Sequence, residues 1–359
     1  MNSTLLKYLI YISGIICLYA FIAVRVLPIF NLVLIEDRDP EYFEFTKYGE
    51  LYYFSQINHF KEDLPWPDYK FRLSDKNATL EEADIIAFGD SFFDFNRQKT
   101  VADRLQDSLN QRVHAANAWF PLEYLAENSY AKGKEKTIIF EIVERNIPFR
   151  FYNSHEIPFV PEQQSKIGIR KNIARAKDKI FLKNSEELYN KLLKESYLTN
   201  FSYSAIATAK FDLFGYISSQ TPVYNLDKFD YPLLFYYLTV NDNHTSFYFS
   251  HTDDLISRYC DNLVDLAGKL KSEYNLNMVF LPIPNKYTML YKDINPDDVY
   301  DEFLPRLYLE MSKRNLRYVN IYDDFKISEK QLYYGTDTHW TKHGVDIAVE
   351  RLLELFTKN

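Results

Sequence analysis

Cysteine and glycine are scarce in this sequence, and positive charge is in deficit. The 359 residues include two cysteines and nine glycines, and the formal net charge at pH 7 is −8. Cys17 lies in an apolar run and Cys260 lies far from it in a polar region, so neither a structural disulfide nor a cysteine-based metal site is expected. The acidic balance argues against nucleic acid as a partner, because binding to phosphates requires a basic surface.

Repeats and low-complexity tracts are absent as well, whereas aromatic side chains are abundant. The chain has 30 Tyr and 28 Phe, and aromatic residues make up 17% of it. This composition is typical of a globular protein. A chain of this length buries a substantial core and could form one large domain or two ordinary ones.

A long apolar run lies close to the N-terminus. Tyr8 to Val24 contains no charged residue and is bounded by Lys7 and Arg25. The run approaches the ~20 residues that a membrane-spanning helix needs. A cleaved secretion signal is the alternative, but no small-x-small cleavage site follows the apolar core. We therefore expect residues 1–38 to be an uncleaved membrane anchor.

The charges on either side of this run predict its orientation. The amino terminus and Lys7 are positive, and four acidic residues follow the run: Glu36, Asp37, Asp39 and Glu41. Positive flanks stay in the cytoplasm, so the asymmetry predicts a single-pass protein of the cell membrane whose body is extracytoplasmic.

The chain beyond the anchor is expected to form a stalk and one main domain. Residues 39–82 are polar and aromatic, and Leu64 to Asn77 within them is linker-like. We interpret 39–82 as a juxtamembrane stalk that packs on the main domain, residues 83–359.

Strand-like and helix-like segments alternate along the main domain. Five segments have strand character: Ile85–Phe88, Arg112–Ala116, Thr137–Val143, Asn277–Ile283 and Leu316–Tyr322. Thr100 and Thr252 stand where helix N-caps are expected, and apolar residues recur at helical spacing after them. This alternation predicts an α/β fold, a three-layer sandwich around a mostly parallel five-stranded sheet of the flavodoxin-like kind.

One segment, residues 150–243, interrupts the alternation. It is too long for a loop, and we expect a largely helical insertion that covers one side of the sandwich. The alternative is a surface that lies on the bilayer or binds an anionic chain, because the segment has an aromatic portion, Phe201 to Tyr237, and a basic portion. The basic residues are Lys166, Arg170, Lys171, Arg175, Lys177, Lys179, Lys183, Lys191 and Lys194.

A serine stands directly after the first predicted strand. Ile85 to Phe88 continues into Gly89-Asp90-Ser91, and open α/β sheets bind their ligands at the carboxyl edge. A serine is a weak nucleophile unless a base takes its proton. His339, in the loop before the closing helix, is the candidate base. Asp337 can accept the proton of one imidazole nitrogen and leave the other nitrogen for Ser91.

Two other uses of these side chains were weighed. His343 could be the base instead of His339, and Asp337, His339 and His343 could bind a metal ion. A serine in the position of a nucleophile makes both alternatives weaker. No metal and no cofactor are expected.

The motifs resemble those of a known superfamily. Gly89-Asp90-Ser91-Phe92 near the start and Asp337-Thr338-His339-Trp340 near the end resemble the first and last blocks of the SGNH/GDSL hydrolases. The closing motif, with Thr341 and Gly344, is similar to that of the polysaccharide O-acetyltransferase branch of the alginate acetyltransferase AlgJ/AlgX type. Phe140 to Arg145 and Pro282 to Tyr287, with Tyr291, resemble further segments of that branch. The similarity spans residues 84–356 without the insertion.

The resemblance implies roles for the site residues. Ser91 would be the nucleophile, His339 the base and Asp337 the acid that orients it. Ordinary members separate acid and base by two residues rather than one, and their second and third blocks carry oxyanion donors, a Gly and a Gly-x-Asn-Asp, that are missing here. The Ser91 N–H is one expected donor, and the other oxyanion or substrate-binding candidates are Asn117, Ala118, Arg145, Asn146, Lys286 and Trp340. An ion pair of Arg145 with Glu141 or Glu144 is the alternative for that arginine.

The predicted function follows from this resemblance. We expect a membrane-anchored O-acetyltransferase that modifies a cell-surface polysaccharide through an acyl-serine. The acyl donor would be delivered by a multi-spanning membrane acyltransferase. Two alternatives stay open, a carbohydrate acetyl esterase with the same triad and a catalytically degenerate protein that binds glycan or scaffolds the assembly.

Overall fold

The computed structural model describes residues 3–21, 48–62, 64, 78–94, 99–151, 197–217, 221–224, 233–240 and 247–357. The chain divides into two compact units. The larger unit consists of Lys47–Leu51, Glu62–Pro158 and Ser218–Asn359, and the smaller unit consists of Met1–Thr46, Tyr52–Lys61 and Phe159–Ile217.

In the smaller unit a long helix contacts a short segment from much earlier in the sequence. Its described elements include helix α1 (Ser3–Phe21), a 3-10 turn (Asn58–Phe60) and the long helix, Tyr197–Phe214. The Asn58 N–H donates to Thr208 Oγ1 (2.9 Å), and the Phe60 and Phe211 rings meet edge to face at 5.1 Å.

The predicted transmembrane helix is not found among the described residues. Within that part of the chain, no helix combines the length and the apolar character that crossing a membrane requires. Residues 22–24 of the predicted span lie outside the described residues.

The larger unit contains the sheet and its covering helices. Its strands are β1 (Ile85–Gly89), β2 (Val113–Asn117), β3 (Lys136–Val143), β4 (Val223–Tyr224), β5 (Leu233–Leu234) and β6 (Leu276–Ile283). A short helix, α2 (Glu50–Ser55), begins in this unit. The described helices after it are α3 (Ser91–Asp94), α4 (Val101–Leu109), α5 (Pro121–Glu127), α6 (Asn146–Phe151), α7 (Tyr197–Phe214, in the smaller unit), α8 (Asp253–Tyr274), α9 (Lys286–Ile294), α10 (Phe303–Lys313), α11 (Tyr322–Ile327) and α12 (Lys342–Thr357).

Four strands form one parallel sheet in the order β2-β1-β3-β6. The predicted α/β class with a parallel sheet is confirmed. Alternate strand residues enter separate cores on the two faces, and this makes three layers. One face packs against α8 and α10 through Phe88, Phe140 and Phe280, and the other packs against α4 and α12 through Ala87, Ile139 and Leu281.

Side-chain caps begin the helices where the sequence places them. Thr100 Oγ1 accepts the Asp103 N–H (3.2 Å), and the Asp103 carboxylate accepts the Thr100 N–H (3.2 Å), which completes a capping box. Thr252 Oγ1 accepts the Leu255 N–H (3.3 Å) at the start of α8.

The fifth predicted strand, Leu316 to Tyr322, is not a strand in the structure. A single parallel bridge to Phe280 of β6 remains, in which the Phe280 N–H donates to Arg317 O (2.9 Å) and the Val319 N–H donates to Phe280 O (2.9 Å). The next N–H on this edge of β6 would belong to position 282, which is a proline and has none. The ladder therefore stops after one pair.

The predicted insertion, residues 150–243, is described only in part. Its described residues include the long helix α7, the antiparallel β4–β5 pair and a 3-10 turn at Tyr237–Thr239. All nine basic residues of its basic portion lie outside the described residues. The helical prediction thus describes α7 and misses the β4–β5 pair.

Candidate active site

Ser91 lies on a tight turn between β1 and α3, at the carboxyl edge of the sheet. The turn lies against the buried side chain of Glu141 in β3. The Asp90 N–H donates to Glu141 Oε2 (2.9 Å). A Cβ on residue 89 would stand 2.3 Å from the same oxygen, so Gly89 is the residue that allows this approach.

The Asp90 side chain ties the turn to the end of β3. Its Oδ1 accepts the Phe92 N–H (3.1 Å), and its Oδ2 accepts the Val143 N–H (3.1 Å) and Asn146 Nδ2 (3.2 Å). These bonds hold the backbone on both sides of Ser91. The motif residue Asp90 therefore has a structural role next to Ser91.

Glu141 is a fully buried acid beneath this turn. Burial raises its pKa well above the usual range, the neighbouring Asp90 charge raises it further, and Arg145 opposes these effects only in part. Its Oε1 has no hydrogen-bond partner in the described part of the chain. A neutral carboxylic acid fits such a site, because an ionised one would be left nearly unsolvated.

The structure brings Ser91, His339 and Asp337 together in one hydrogen-bonded chain. His339 Nε2 lies 2.8 Å from Ser91 Oγ, and His339 Nδ1 lies 2.5 Å from Asp337 Oδ1. Asp337 is 1% exposed and His339 is 6% exposed. This is the geometry that a serine nucleophile, its base and an orienting acid require.

The Asp-x-His spacing has a local explanation. The His339 backbone N–H donates to Asp337 Oδ1 (3.1 Å), the same oxygen that faces the imidazole. One carboxylate oxygen thus orients both the backbone and the ring of the base. A single intervening residue, Thr338, is therefore sufficient for this contact.

Several carboxylates act on the imidazole. Burial of His339 opposes protonation, but the charge and hydrogen bond of Asp337 outweigh it, and Glu50 and Asp90 add to their effect. The pKa of His339 is therefore raised above its ordinary value.

Lys286 lies behind the loop that carries the acid and the base. Its ammonium donates to the carbonyl oxygens of Leu234 (2.8 Å), Gly335 (2.8 Å) and Asp337 (3.3 Å). Burial lowers the pKa of Lys286 to about 7. A position on the wall of a substrate groove was predicted, whereas the side chain is buried and holds the loop of Asp337 and His339 to β5.

The predicted oxyanion donors fall into two groups. The Ala118 N–H donates to Gly89 O (3.0 Å), and the Asn146 amide binds Asp90, so both groups already have acceptors. The exposed Asn117 ends β2 in register with Gly89, and its side chain has no partner among the described residues. The Ser91 N–H likewise donates to no described group, so these two donors suit an oxyanion best.

Arg145 and Trp340 also differ from their predicted surroundings. The Arg145 guanidinium lies 5.8 Å from the centre of the Tyr236 ring and forms no ion pair with Glu141 or Glu144. Trp340 is completely buried and packs edge to face on Phe92 at 5.4 Å. Because Trp340 is completely buried, it cannot contact a substrate. It stabilises the core beneath the site, where its large ring is excluded from water.

The metal alternative is not favoured by these contacts. Potential ligand atoms of Glu50, Asp337 and His339 lie within 4.8 Å of one another. However, His339 Nδ1 faces Asp337 Oδ1 directly, and the Thr338 hydroxyl donates to Glu50. His343 lies on the exposed side of α12, where Asp346 is 3.9 Å away. His343, the third residue of the predicted metal cluster, is thus not part of this group.

Two acidic residues of the site were missed in the sequence. Glu50 and Glu62, from the predicted stalk, bind Thr338 and Thr336, which lie 288 and 274 residues further along the chain. No local pattern marks them, because acidic residues in a polar stretch are typical of any solvated surface.

Comparison of the chain with family models, with curated proteins and with solved structures finds no match.

Proposed function

We propose that this protein is a serine-dependent O-acetyltransferase that transfers acetyl groups to hydroxyls of an extracytoplasmic polysaccharide. The observation that carries the proposal is the chain of hydrogen bonds from Ser91 through His339 to Asp337, at 2.8 Å and 2.5 Å. The polysaccharide and the acetyl group come from the resemblance of the motifs to the O-acetyltransferase branch of the SGNH superfamily.

The reaction proceeds by two displacements. His339 Nε2 takes the proton of Ser91 while Oγ attacks the carbonyl carbon of the donor ester, and the alcohol leaves with that proton. An acetyl-serine remains. His339 then takes the proton of a sugar hydroxyl while the sugar oxygen attacks the acetyl carbon. The bond between the acetyl carbon and Ser91 Oγ breaks, and His339 returns the proton to Oγ.

The oxyanion of each tetrahedral intermediate needs donors on one side of the serine. The Ser91 N–H and the Asn117 side chain are the groups we assign, because Ala118 and Asn146 already donate elsewhere. Arg145, half-buried at the end of β3, adds positive charge at this edge.

The cellular setting of the proposal rests on sequence. A donor must reach the outside of the cytoplasm, so we propose a multi-spanning membrane acyltransferase as the partner that supplies it. The apolar N-terminal run would keep the enzyme at the cell membrane.

Water in place of the sugar hydroxyl would make the same site a carbohydrate acetyl esterase. The two activities are separated by giving the full-length protein an acetyl donor with and without polysaccharide. Transfer increases the mass of the glycan by acetyl groups, whereas hydrolysis releases acetate alone.

Ser91→Ala is the direct test of the nucleophile. We expect it to keep the fold and to lose transfer and aryl acetate hydrolysis by at least about a thousandfold, because the triad acts as a unit. His339→Gln should lose a similar amount. His343→Gln, which changes a half-buried histidine four positions away, is the matched control and should keep full activity. A Ser91→Ala protein that retains activity would instead support the degenerate glycan-binding alternative, with hydrolysis arising elsewhere.

A further inference from the structure

A short piece of the N-terminal region binds the loop that carries the acid and the base. We use the name strap for residues 48–51 together with Glu62, all in the larger unit. The Leu51 N–H donates to Thr336 O (3.0 Å), and the Glu50 N–H donates to Asp337 Oδ2 (3.4 Å). The strap thus reaches the second oxygen of the catalytic acid, the one that His339 does not use.

The strap lies so close to the loop that no side chain fits at residue 49. Gly49 has φ +92, and a Cβ there would stand 2.3 Å from Thr336 O. Both the backbone angle and the close approach require glycine. The close contact between the strap and Thr336 therefore depends on the glycine at position 49.

Two carboxylates of the strap bind side chains and backbone of the loop. Glu62 Oε2 accepts the Thr336 N–H (2.8 Å) and the Thr336 hydroxyl (2.9 Å). Glu50 accepts the hydroxyl of Thr338, the residue between acid and base. Together with Lys286 on the opposite side, these bonds hold the loop at Gly335, Thr336, Asp337 and Thr338.

We infer that the strap is part of the active site and that Glu50 is a positioning residue for the catalytic acid and base. This inference rests on the proposed function, since it assigns a role within the same triad. The hydrogen bonds of Glu50 join it to Asp337 and Thr338. It acts by fixing Thr338 between Asp337 and His339 and by placing a second negative charge beside them.

The charge of Glu50 has a measurable consequence at His339. The charged groups that face the imidazole are the carboxylates of Asp337, Glu50 and Asp90, and the Lys286 ammonium lies behind Asp337. Glu50 favours the protonated imidazole, so its removal lowers the pKa of His339. A lower pKa leaves the base free at lower pH.

Glu50→Gln separates the charge from the hydrogen bond. The glutamine carbonyl can still accept the Thr338 hydroxyl, so the loop stays in place while the charge is lost. We expect the acid limb of the pH profile of kcat/KM for aryl acetate hydrolysis to move to lower pH, with the plateau within a few-fold of wild type. Glu350→Gln, on the exposed side of α12, makes the same change in net charge and should leave the acid limb in place.

Glu62→Ala and Gly49→Val test the positioning itself. Glu62 binds Thr336 rather than the residue beside the base, so Glu62→Ala should lower kcat and move the acid limb less than Glu50→Gln does. Gly49→Val should lower kcat/KM by roughly ten- to a hundredfold, because a displacement of about 1 Å at the acid disturbs the alignment of the triad. Gly49→Ser, a smaller side chain, serves if the valine variant does not fold.

A direct measurement of the pKa of His339 makes the test independent of the reaction. The imidazole is titrated by NMR in full-length protein labelled with 15N-histidine, and its signal is assigned by comparison with His339→Gln. A lower pKa in Glu50→Gln than in wild type and in Glu350→Gln supports the inference. Equal pKa values in all three proteins overturn it, even where Ser91-dependent activity is present. Absence of any Ser91-dependent activity contradicts the proposed function, and the titration then still decides whether Glu50 acts on His339.

Discussion

At the scale of the residue, the site depends on which side chains are kept neutral and which are kept charged. Asp337 and Glu50 act on His339 as negative charges, and Asp90 accepts three hydrogen bonds beside Ser91. Glu141, directly beneath the turn, is completely buried, and burial raises its pKa well above the usual range, which favours the neutral form. Carboxyl groups a few ångströms apart thus serve opposite purposes because their surroundings differ.

Glu141 offers a prediction at this scale. Glu141→Gln should retain stability and Ser91 reactivity within a few-fold, because an amide oxygen can accept the Asp90 N–H as a neutral acid does. Glu141→Leu should lower the free energy of unfolding by about 1–3 kcal/mol, since it leaves that buried N–H without an acceptor. Chemical denaturation and the rate of Ser91 labelling by a fluorophosphonate measure the two effects. Equal losses in both variants would show that the negative charge of Glu141 is needed.

At the scale of the element, buried polar side chains fasten the strand ends together. Glu144, after β3, accepts the Asn285 N–H (2.7 Å) and the Tyr300 hydroxyl (2.7 Å). It thereby joins the end of β3 to the start of α9 and to the chain before α10. Burial raises the pKa of Glu144 to about 7, although these hydrogen bonds oppose the shift.

The elevated pKa of Glu144 predicts how stability depends on pH. The folded-state pKa of about 7 exceeds the unfolded value, so the folded state binds the proton more tightly. Its contribution is fully present below about pH 4 and is lost as pH rises through 7. Wild type should therefore lose on the order of 3 kcal/mol relative to Glu144→Gln over this range.

Denaturant titrations of the two proteins at pH 5, 6, 7 and 8 measure this difference. Glu354→Gln, an exposed change on α12 that removes the same charge, is the control. Parallel curves for wild type and Glu144→Gln would show that Glu144 ionises in the fold as it does in water.

At the scale of the whole molecule, composition and the N-terminal run predict where the protein works. The apolar run lies between Lys7 and four acidic residues, and this asymmetry predicts that the body of the protein lies outside the cytoplasm. Location matters to the proposed function, because a polysaccharide acceptor and an acetyl donor meet the enzyme only in the compartment of its catalytic unit.

A reporter enzyme that folds only outside the cytoplasm tests this location. Fused after Asn359, it should be active in the wild-type protein. Replacement of Glu36, Asp37, Asp39 and Glu41 by lysine should reduce that activity, since positive charge after the run opposes its export. Mature protein that begins after the apolar run would show a cleaved signal, and activity of a cytoplasmic reporter would contradict the predicted location.

Local patterns in the sequence determined the elements of the fold and the core of the candidate site. Periodicity and strand character predict β1, β2, β3 and β6, and cap residues mark the starts of α4 and α8. These features act over a few residues, as does the contact between Asp337 and His339. They can therefore be recognised from the sequence alone.

Tertiary structure decided the contacts between distant parts of the chain. Lys286 and Trp340 are buried, and the Ala118 N–H donates to Gly89 O. Glu50 and Glu62 bind the loop that contains Asp337. The segment beside β6 also pairs at one position only. Pro282 has no N–H to donate, and this matters only when another segment lies next to β6. The physical reason is common to all of these: a polar group takes its role from the partner it meets on folding, and that partner lies far away in sequence.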